Sequence, residues 1–193
     1  MRYQLAQAFR FTLLMTVLTG LIYPGVVTGF CQLLFSRQAN GSLLAVNGKI
    51  VGSTLIGQNF SKPEYFRPRP SAAGNDGYDA TSSSGSNLGP TNQKLVDRMK
   101  ADITKFRKEN PSYQGPIPAD LLTTSASGLD PDISPASALA QAPRVAQVRG
   151  VSLEQMQQVI SARTEWRQLG FFGEPRVNVL LLNLELDKRF PLH

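Results

Sequence analysis

From Phe11 to Ser36 the chain carries no charged side chain, and at the centre of that run stands LLMTVLTGLIYPGVVTGFCQLLF. A membrane-crossing helix needs roughly 20 mostly apolar residues to cover about 30 Å of hydrocarbon. The pattern therefore predicts one transmembrane helix over residues 11–36, with a short stub over 1–10 before it. A cleaved secretory signal is the rival reading, but its apolar core is about 7–15 residues long and ends at small residues. Here the core is longer, and Arg37 stands where a small residue would be required. A lipoprotein signal does not fit either, because Cys31 follows the bulky Phe30 inside the apolar run.

Beyond the span the periodicity changes. Asn47 to Gln58 (NGKIVGSTLIGQ) joins an Asn-Gly turn signal to Ile50, Val51, Leu55 and Ile56, and reads as one or two short strands. Residues 61–90 are rich in Pro, Gly, Ser, Asn and Asp with almost no hydrophobic period. Loops beyond about 12–15 residues are uncommon in compact domains. Because this one contains Tyr65, Phe66 and Tyr78, it reads as an ordered loop pressed against the domain, the alternative being a flexible linker. Pro90 is expected to open a helix. Leu95, Val96, Met99, Ile103 and Phe106 give that helix one apolar face, read as core, until Asn110-Pro111 stops it.

A second helix is expected with Ser134 as cap and Pro135 in its first turn, broken or restarted at Pro143. A third begins at Ser152, where Gln155 completes a capping box and Val151 faces Met156 as a staple, and runs through Val159 and Ile160 toward Trp166. After Gly170 and Gly173, the run Val177 to Leu186 (VNVLLLNLEL) reads as a buried strand. Strands near both ends with helices between them predict one α/β (or α+β) soluble domain over residues 37–193, following the single N-terminal transmembrane helix.

Charge sets the orientation. Positive flanks stay in the cytoplasm, and Arg2, Arg10 and the terminal amine precede the span while Arg37 and the more distant Lys49 follow it. The N-terminus is read as cytoplasmic and the C-terminal domain as extracytoplasmic, in a single-pass membrane protein. The net charge of +6 is scattered among acids rather than massed on one stripe, so nucleic acid is not an expected partner. The one Cys excludes an intramolecular disulfide, and with His193 as the one imidazole no metal site of the usual His/Cys kind is expected.

Catalytic motifs are also missing. The phosphate loop of NTPases needs Gly-Lys followed by Ser or Thr, but Gly48-Lys49 precedes Ile50. There is no G-x-S-x-G elbow, and no histidine to serve as its base unless His193 folds back. No catalytic residues are assigned. Two Ser/Gly segments remain, Ser84 to Asn92 (SGSNLGPTN) and Thr124 to Asp132 (TSASGLDPD). Backbone amides among small residues can receive an anion, yet turn and cap chemistry explains the same residues. Asp130 and Asp132 fit a helix cap better than a cation site. In the span, Gly25 and Gly29 form a G-x-x-x-G pair, and Thr12, Thr16 and Gly20 share a four-residue spacing. Gly20, Gly25 and Gly29 are thus candidates for close packing against another membrane helix, with Pro24 kinking the helix between the stripes.

Several long strings, in order, carry a family resemblance. They are Gly52 to Phe60 (GSTLIGQNF), Tyr65 to Ala72 (YFRPRPSA), Ser84 to Asn92, Pro118 to Ser134 (PADLLTTSASGLDPDIS), Gln141 to Val145 (QAPRV) and Gly173 to Asp187 (GEPRVNVLLLNLELD). The chain resembles the C subunit of the bacterial Kdp complex, a potassium-importing P-type ATPase. One departure is Ser83-Ser84-Gly85-Ser86, where the family often shows a second Gly. The resemblance implies an accessory subunit, needed for assembly and acting as a catalytic chaperone that raises the pump subunit's affinity for ATP. Its implied partners are a channel-like potassium-translocating subunit, a P-type ATP-hydrolysing subunit and a small membrane subunit.

The resemblance further implies that Ser84, Gly85, Ser86 and Asn87, with Ser125, Ser127, Gly128 and Leu129, form a nucleotide or interface segment, likened to an ABC-transporter signature. That collides with the topology, since ATP is cytoplasmic and the flank charges place these segments outside. An external domain acts on ATP affinity indirectly, by biasing conformations of the pump. The alternative of another class is a stand-alone membrane-anchored envelope binding protein, which would not co-purify with large polytopic subunits in mild detergent.

Overall fold

In a computed structural model that describes residues 1–192, the apolar run lies in one continuous helical stretch, Arg2–Leu34, of 33 residues. At 1.5 Å per residue this is about 50 Å long, more than the hydrocarbon requires. The stretch is α1 (Arg2–Val17), a π turn (Leu18–Ile22) and α2 (Tyr23–Leu34). The π turn ends two residues before Pro24, whose ring lacks an N–H and crowds the preceding turn; a wide turn absorbs that misfit. A short α3 (Ser36–Ala39) follows, then β1 (Leu43–Val46) and β2 (Lys49–Ser53), paired as a two-stranded sheet. Their connection is Asn47-Gly48 with φ +52° and +77°, the left-handed pair that a tight hairpin turn demands. The compact unit formed by Met1–Val51 is distinct from a second one that begins at Gly52.

The second unit holds α4 (Gln93–Glu109), a 3-10 turn (Ala119–Leu121), β3 (Asp132–Ile133), α5 (Pro135–Arg149), α6 (Leu153–Ala162), β4 (Thr164–Glu165), β5 (Arg176–Asn178) and α7 (Val179–Arg189). β5 is the middle strand of an antiparallel sheet in the order β3-β5-β4, with Val177 opposite both Ile133 and Thr164. The core gathers Phe66, Ile133, Ala142, Val145, Met156, Val159, Val177, Val179, Leu182 and Leu186 from sheet, helices and loop. Helices and small sheets behind one apolar helix match the expected fold class.

Capping chemistry explains the helix starts. Asn92, Ser134, Ser152 and Asn178 each accept a hydrogen bond from a backbone N–H of the first turn, and Ser152 with Gln155 forms the full capping box. Four expectations are corrected. Pro90 lies in a turn and α4 opens only after Asn92, because a side-chain acceptor satisfies an orphan N–H and proline cannot. α5 runs straight through Pro143; the helix-breaking cost of about 3 kcal/mol is offset by the burial of Ala138, Ala142, Val145 and Ala146 around it. Val177 to Leu186 is strand only to Asn178. Thereafter Val179, Leu182, Asn183 and Leu186 are buried at helical spacing, and Asn178 caps the turn. The apolar face of α4 is core only at Phe106, which meets Tyr113 edge-on at 6.1 Å, while Val96 and Ile103 are exposed.

The long loop over 61–90 is ordered, because side chains from two helices satisfy its backbone. Asn183 accepts from Phe66 N–H at 2.9 Å and donates to Phe66 C=O at 3.0 Å. Gln141 does the same for Arg67, at 2.8 and 3.1 Å. Two buried amides thus replace a neighbouring strand, and Phe66 seals the core beneath them.

Candidate functional site

The two Ser/Gly segments do come together. Ser83 Oγ donates to Ser127 C=O at 3.0 Å, Thr124 Oγ1 donates to Ser86 Oγ at 3.2 Å, and Ser71 Oγ donates to Gly128 C=O at 2.6 Å. Ser84 Oγ donates to Ala72 C=O, and Ser127 Oγ accepts from Leu129 N–H as a local turn. Ser125 and Ser127 hydroxyls lie 3.5 Å apart. The glycines are spent on close approach. A Cβ on Gly128, at φ +68°, would stand 2.5 Å from Ser84 O, and one on Gly85 would stand 2.9 Å from Ala126 O. Asn87 sits at φ +51° in the left-handed region that asparagine tolerates. The hydroxyls hold three loops to one another.

Of these residues Ser71, Ala72, Ser86 and Thr124 line the neighbouring groove, a hollow of about 420 Å³ between α4 and the long loop. Its wall is arginine-rich. Arg67 reaches Glu109 at 2.6 Å, and Arg69 reaches Asp130 at 2.8 Å. Tyr78 donates from its hydroxyl to Arg69 C=O at 2.6 Å, and burial, with Asp130 nearby, pushes its phenol well above the ordinary range. Arg98 and Asp102 stand 4.0 Å apart on successive turns of α4. Arg98 Nε and Nη1, Arg67 Nε and Asp102 Oδ2 are buried with no hydrogen-bond partner among the described residues. Burial raises the Asp102 carboxyl, opposed by the Arg98 and Lys105 charges. The groove can therefore take a hydrogen-bonding polar group, and Arg98 offers the donors for it.

Behind the groove, Arg144 ties α5 to the loop. Its guanidinium donates to Asn110 Oδ1 at 2.9 Å, Tyr65 C=O at 3.1 Å, Gln141 Oε1 at 3.0 Å and Pro63 C=O. Burial and the Arg67 charge lower its pKa to about 10, so it stays protonated at neutral pH. Sequence reasoning missed Arg67, Arg69, Arg98, Asp102 and Arg144. Two signals could have found some of them: the Arg-Pro-Arg-Pro string at 67–70, and the four-residue spacing of Arg98 and Asp102. His193, the one imidazole, lies outside the described residues. Asp130 and Asp132 do not hold a helix cap: Asp130 accepts from Asp132 N–H at 3.0 Å, and the residue that joins the Ser134 cap is Asp120.

In the helical stretch long and apolar enough to cross a membrane, Gly25 and Gly29 lie on α2 and Gly20 within the π turn, and a Cβ at any of the three would meet nothing within 4 Å.

Known proteins share this sequence over nearly its whole length. A family model described as "K+-transporting ATPase, c chain" matches residues 5–188. A Myxococcus xanthus protein named potassium-transporting ATPase KdpC subunit is 58% identical over 184 residues, 95% of this chain and 87% of the relative. Its namesake from Koribacter versatilis is 53% identical over 192 residues, 100% of this chain and 98% of the relative. One from Mycobacterium tuberculosis is 53% identical over 189 residues, 97% of this chain and 100% of the relative.

Proposed function

The chain belongs to the KdpC family, the c chain of K+-transporting ATPases, and from that membership we propose that it is an inner-membrane subunit which assembles the transporter and raises its ATP affinity from outside. A single span does not enclose a pore, so ion passage falls to a channel-like subunit and ATP hydrolysis to a P-type subunit. A small membrane subunit completes the set. The observation that supports assembly is the open small-residue pair Gly25 and Gly29, four residues apart on α2, with Gly20 open as well on the preceding turn, since small residues let helix backbones approach closely in lipid. Gly25→Leu and Gly29→Leu add bulk there while keeping the span apolar. Co-purification with the transporter subunits is expected to fall for both. Unchanged recovery and potassium uptake would show that this face meets only lipid.

The effect on ATP is indirect in this reading. The Ser/Gly segments use their hydroxyls on neighbouring loops, and the charge of the flanks puts them on the far side of the membrane from ATP. A subunit that binds one pump conformation better than another shifts nucleotide affinity by the same coupling free energy, with no contact to nucleotide. Orientation is tested directly. With Cys31, the one free thiol, replaced by Ser, a cysteine introduced at exposed Lys108 should react with a membrane-impermeant maleimide in cells whose outer barrier is opened. Protection there, with labelling near Gln4, would reverse the topology and bring ATP within reach.

A further inference from the structure

The turn between β4 and β5 exposes large apolar side chains. Trp166, Leu169, Phe171 and Phe172 are 71, 82, 65 and 56% exposed. Burying one such side chain is worth roughly 1.5–3 kcal/mol, and apolar residues gathered in one patch, rather than scattered, mark interaction surfaces. The tip is also held in shape. Gln168 and Phe172 exchange two backbone hydrogen bonds of 2.9 Å each, and the Phe171 and Phe172 rings lie 4.2 Å apart. Leu169 sits at φ +52° beside Gly170 at φ +82°; a left-handed backbone is unfavourable for a bulky residue, and such conformations concentrate where function needs them. At its base the tip grows from β5, the central strand, whose Val177 is fully buried. It is a stiff element presenting apolar groups outward.

Its charges are answered locally. Arg167 pairs with Glu174 at 2.6 Å, Arg176 with Glu165 at 2.9 Å and Asp132 at 3.3 Å, and Arg163 with Glu185. A segment built to lie on an anionic bilayer keeps Lys and Arg available for phosphates; here each arginine of the hairpin is matched by a carboxylate. An apolar tip ringed by neutralised pairs complements an apolar, uncharged recess in a protein. We propose that the β4–β5 tip is an anchor that docks into such a recess on the extracytoplasmic surface of another subunit of the K+-transporting ATPase, an inference that rests on the subunit reading above. Large aromatic side chains bury about 150–250 Å² each. Because Trp166, Phe171 and Phe172 are already partly buried, what the tip has left to bury falls short of the roughly 800 Å² per partner of a standard interface, and it acts as the central hot spot of a wider contact.

The test places a photoreactive benzophenone amino acid at Phe171 of the full chain, co-expressed with the other subunits, irradiated in membranes and purified in mild detergent. A crosslink to one transporter subunit, identified by mass spectrometry, is expected, with none from the same group at exposed Lys188. Leu169→Gln with Phe172→Gln should lower recovery of the partner subunits by about tenfold or more, as loss of a hot spot does, while the chain still inserts. Crosslinking to lipid alone in an intact complex would make the tip a membrane element, and no crosslink with unchanged recovery would make it an idle surface. Either result overturns the docking role and leaves the subunit reading standing. A wild-type chain that brings down no transporter subunit overturns both.

Discussion

Arg144→Met is expected to destabilise the unit that begins at Gly52 by about 3–5 kcal/mol, since hydrogen bonds to a charged group contribute about 1.5–3 kcal/mol each and two of those of Arg144 are fully buried. Methionine fills the space of the stem but returns no donor. The carbonyls of Pro63 and Tyr65 and Asn110 Oδ1 lose this donor at once, while Gln141 Oε1 keeps the Arg67 N–H. Asn110 is buried, whereas Pro63 is exposed and Tyr65 half-buried; an unsatisfied buried acceptor costs about 1–3 kcal/mol. Against a typical total of about 5–15 kcal/mol, the loss is large, and at about 2–4 °C per kcal/mol the thermal midpoint should fall by roughly 6–20 °C. Arg144→Lys restores charge without the planar fork and should fall between. Arg176→Met removes exposed pairs with Glu165 and Asp132 and should cost about 1 kcal/mol or less. Thermal melting of the full chain in detergent, followed at a loop probe so that the membrane helix does not mask the transition, gives the order. Equal midpoints for Arg144→Met and wild type would mean that water replaces the guanidinium without loss.

The same arginine shows where sequence reading reached its end. Local signals were legible: the Asn47-Gly48 turn, the Ser152–Gln155 box and the Ser134-Pro135 start depend on neighbours within a few residues, and the structure contains all three. The apolar run was legible for a different reason, since length and charge alone distinguish it. Long-range partners were not. Nothing near Phe66 in the chain announces Asn183, 117 residues away, as the amide that accepts its N–H. The strand expected over Val177 to Leu186 failed because a run of Val and Leu fits a buried strand and a buried helix equally; Asn178, as a cap, was the one letter that separated them. Two of the groove arginines were hidden in the same way, matched to carboxylates that the fold brings from elsewhere, Arg67 to Glu109 and Arg69 to Asp130. The two Ser/Gly segments, separated by some forty residues in the chain, are joined by hydroxyl hydrogen bonds that neither segment announces by itself.

That packing separates a structural from a nucleotide role by substitution. Gly128→Ala is expected to cost about 2 kcal/mol or more, since alanine at φ +68° is strained by about 1–2 kcal/mol and its Cβ would stand 2.5 Å from Ser84 O and 2.8 Å from Ala73 N. Both obstacles are backbone, so neither swings aside. Ser86→Ala with Asn87→Gly is the opposite case. Ser86 gives up one 3.2 Å contact from Thr124, and glycine suits the φ of +51° at position 87, so stability should change by about 0.5 kcal/mol or less. If these segments grip ATP, the double variant should raise the ATP KM of the assembled transporter many-fold while it folds and assembles normally. On the indirect reading that KM stays at the wild-type value, and Gly128→Ala, which loosens the junction of the three loops, lowers thermal stability and recovery of the complex instead. An intact, fully assembled double variant with weakened ATP use would sink the indirect reading, because nothing else in that pair of side chains carries structural weight.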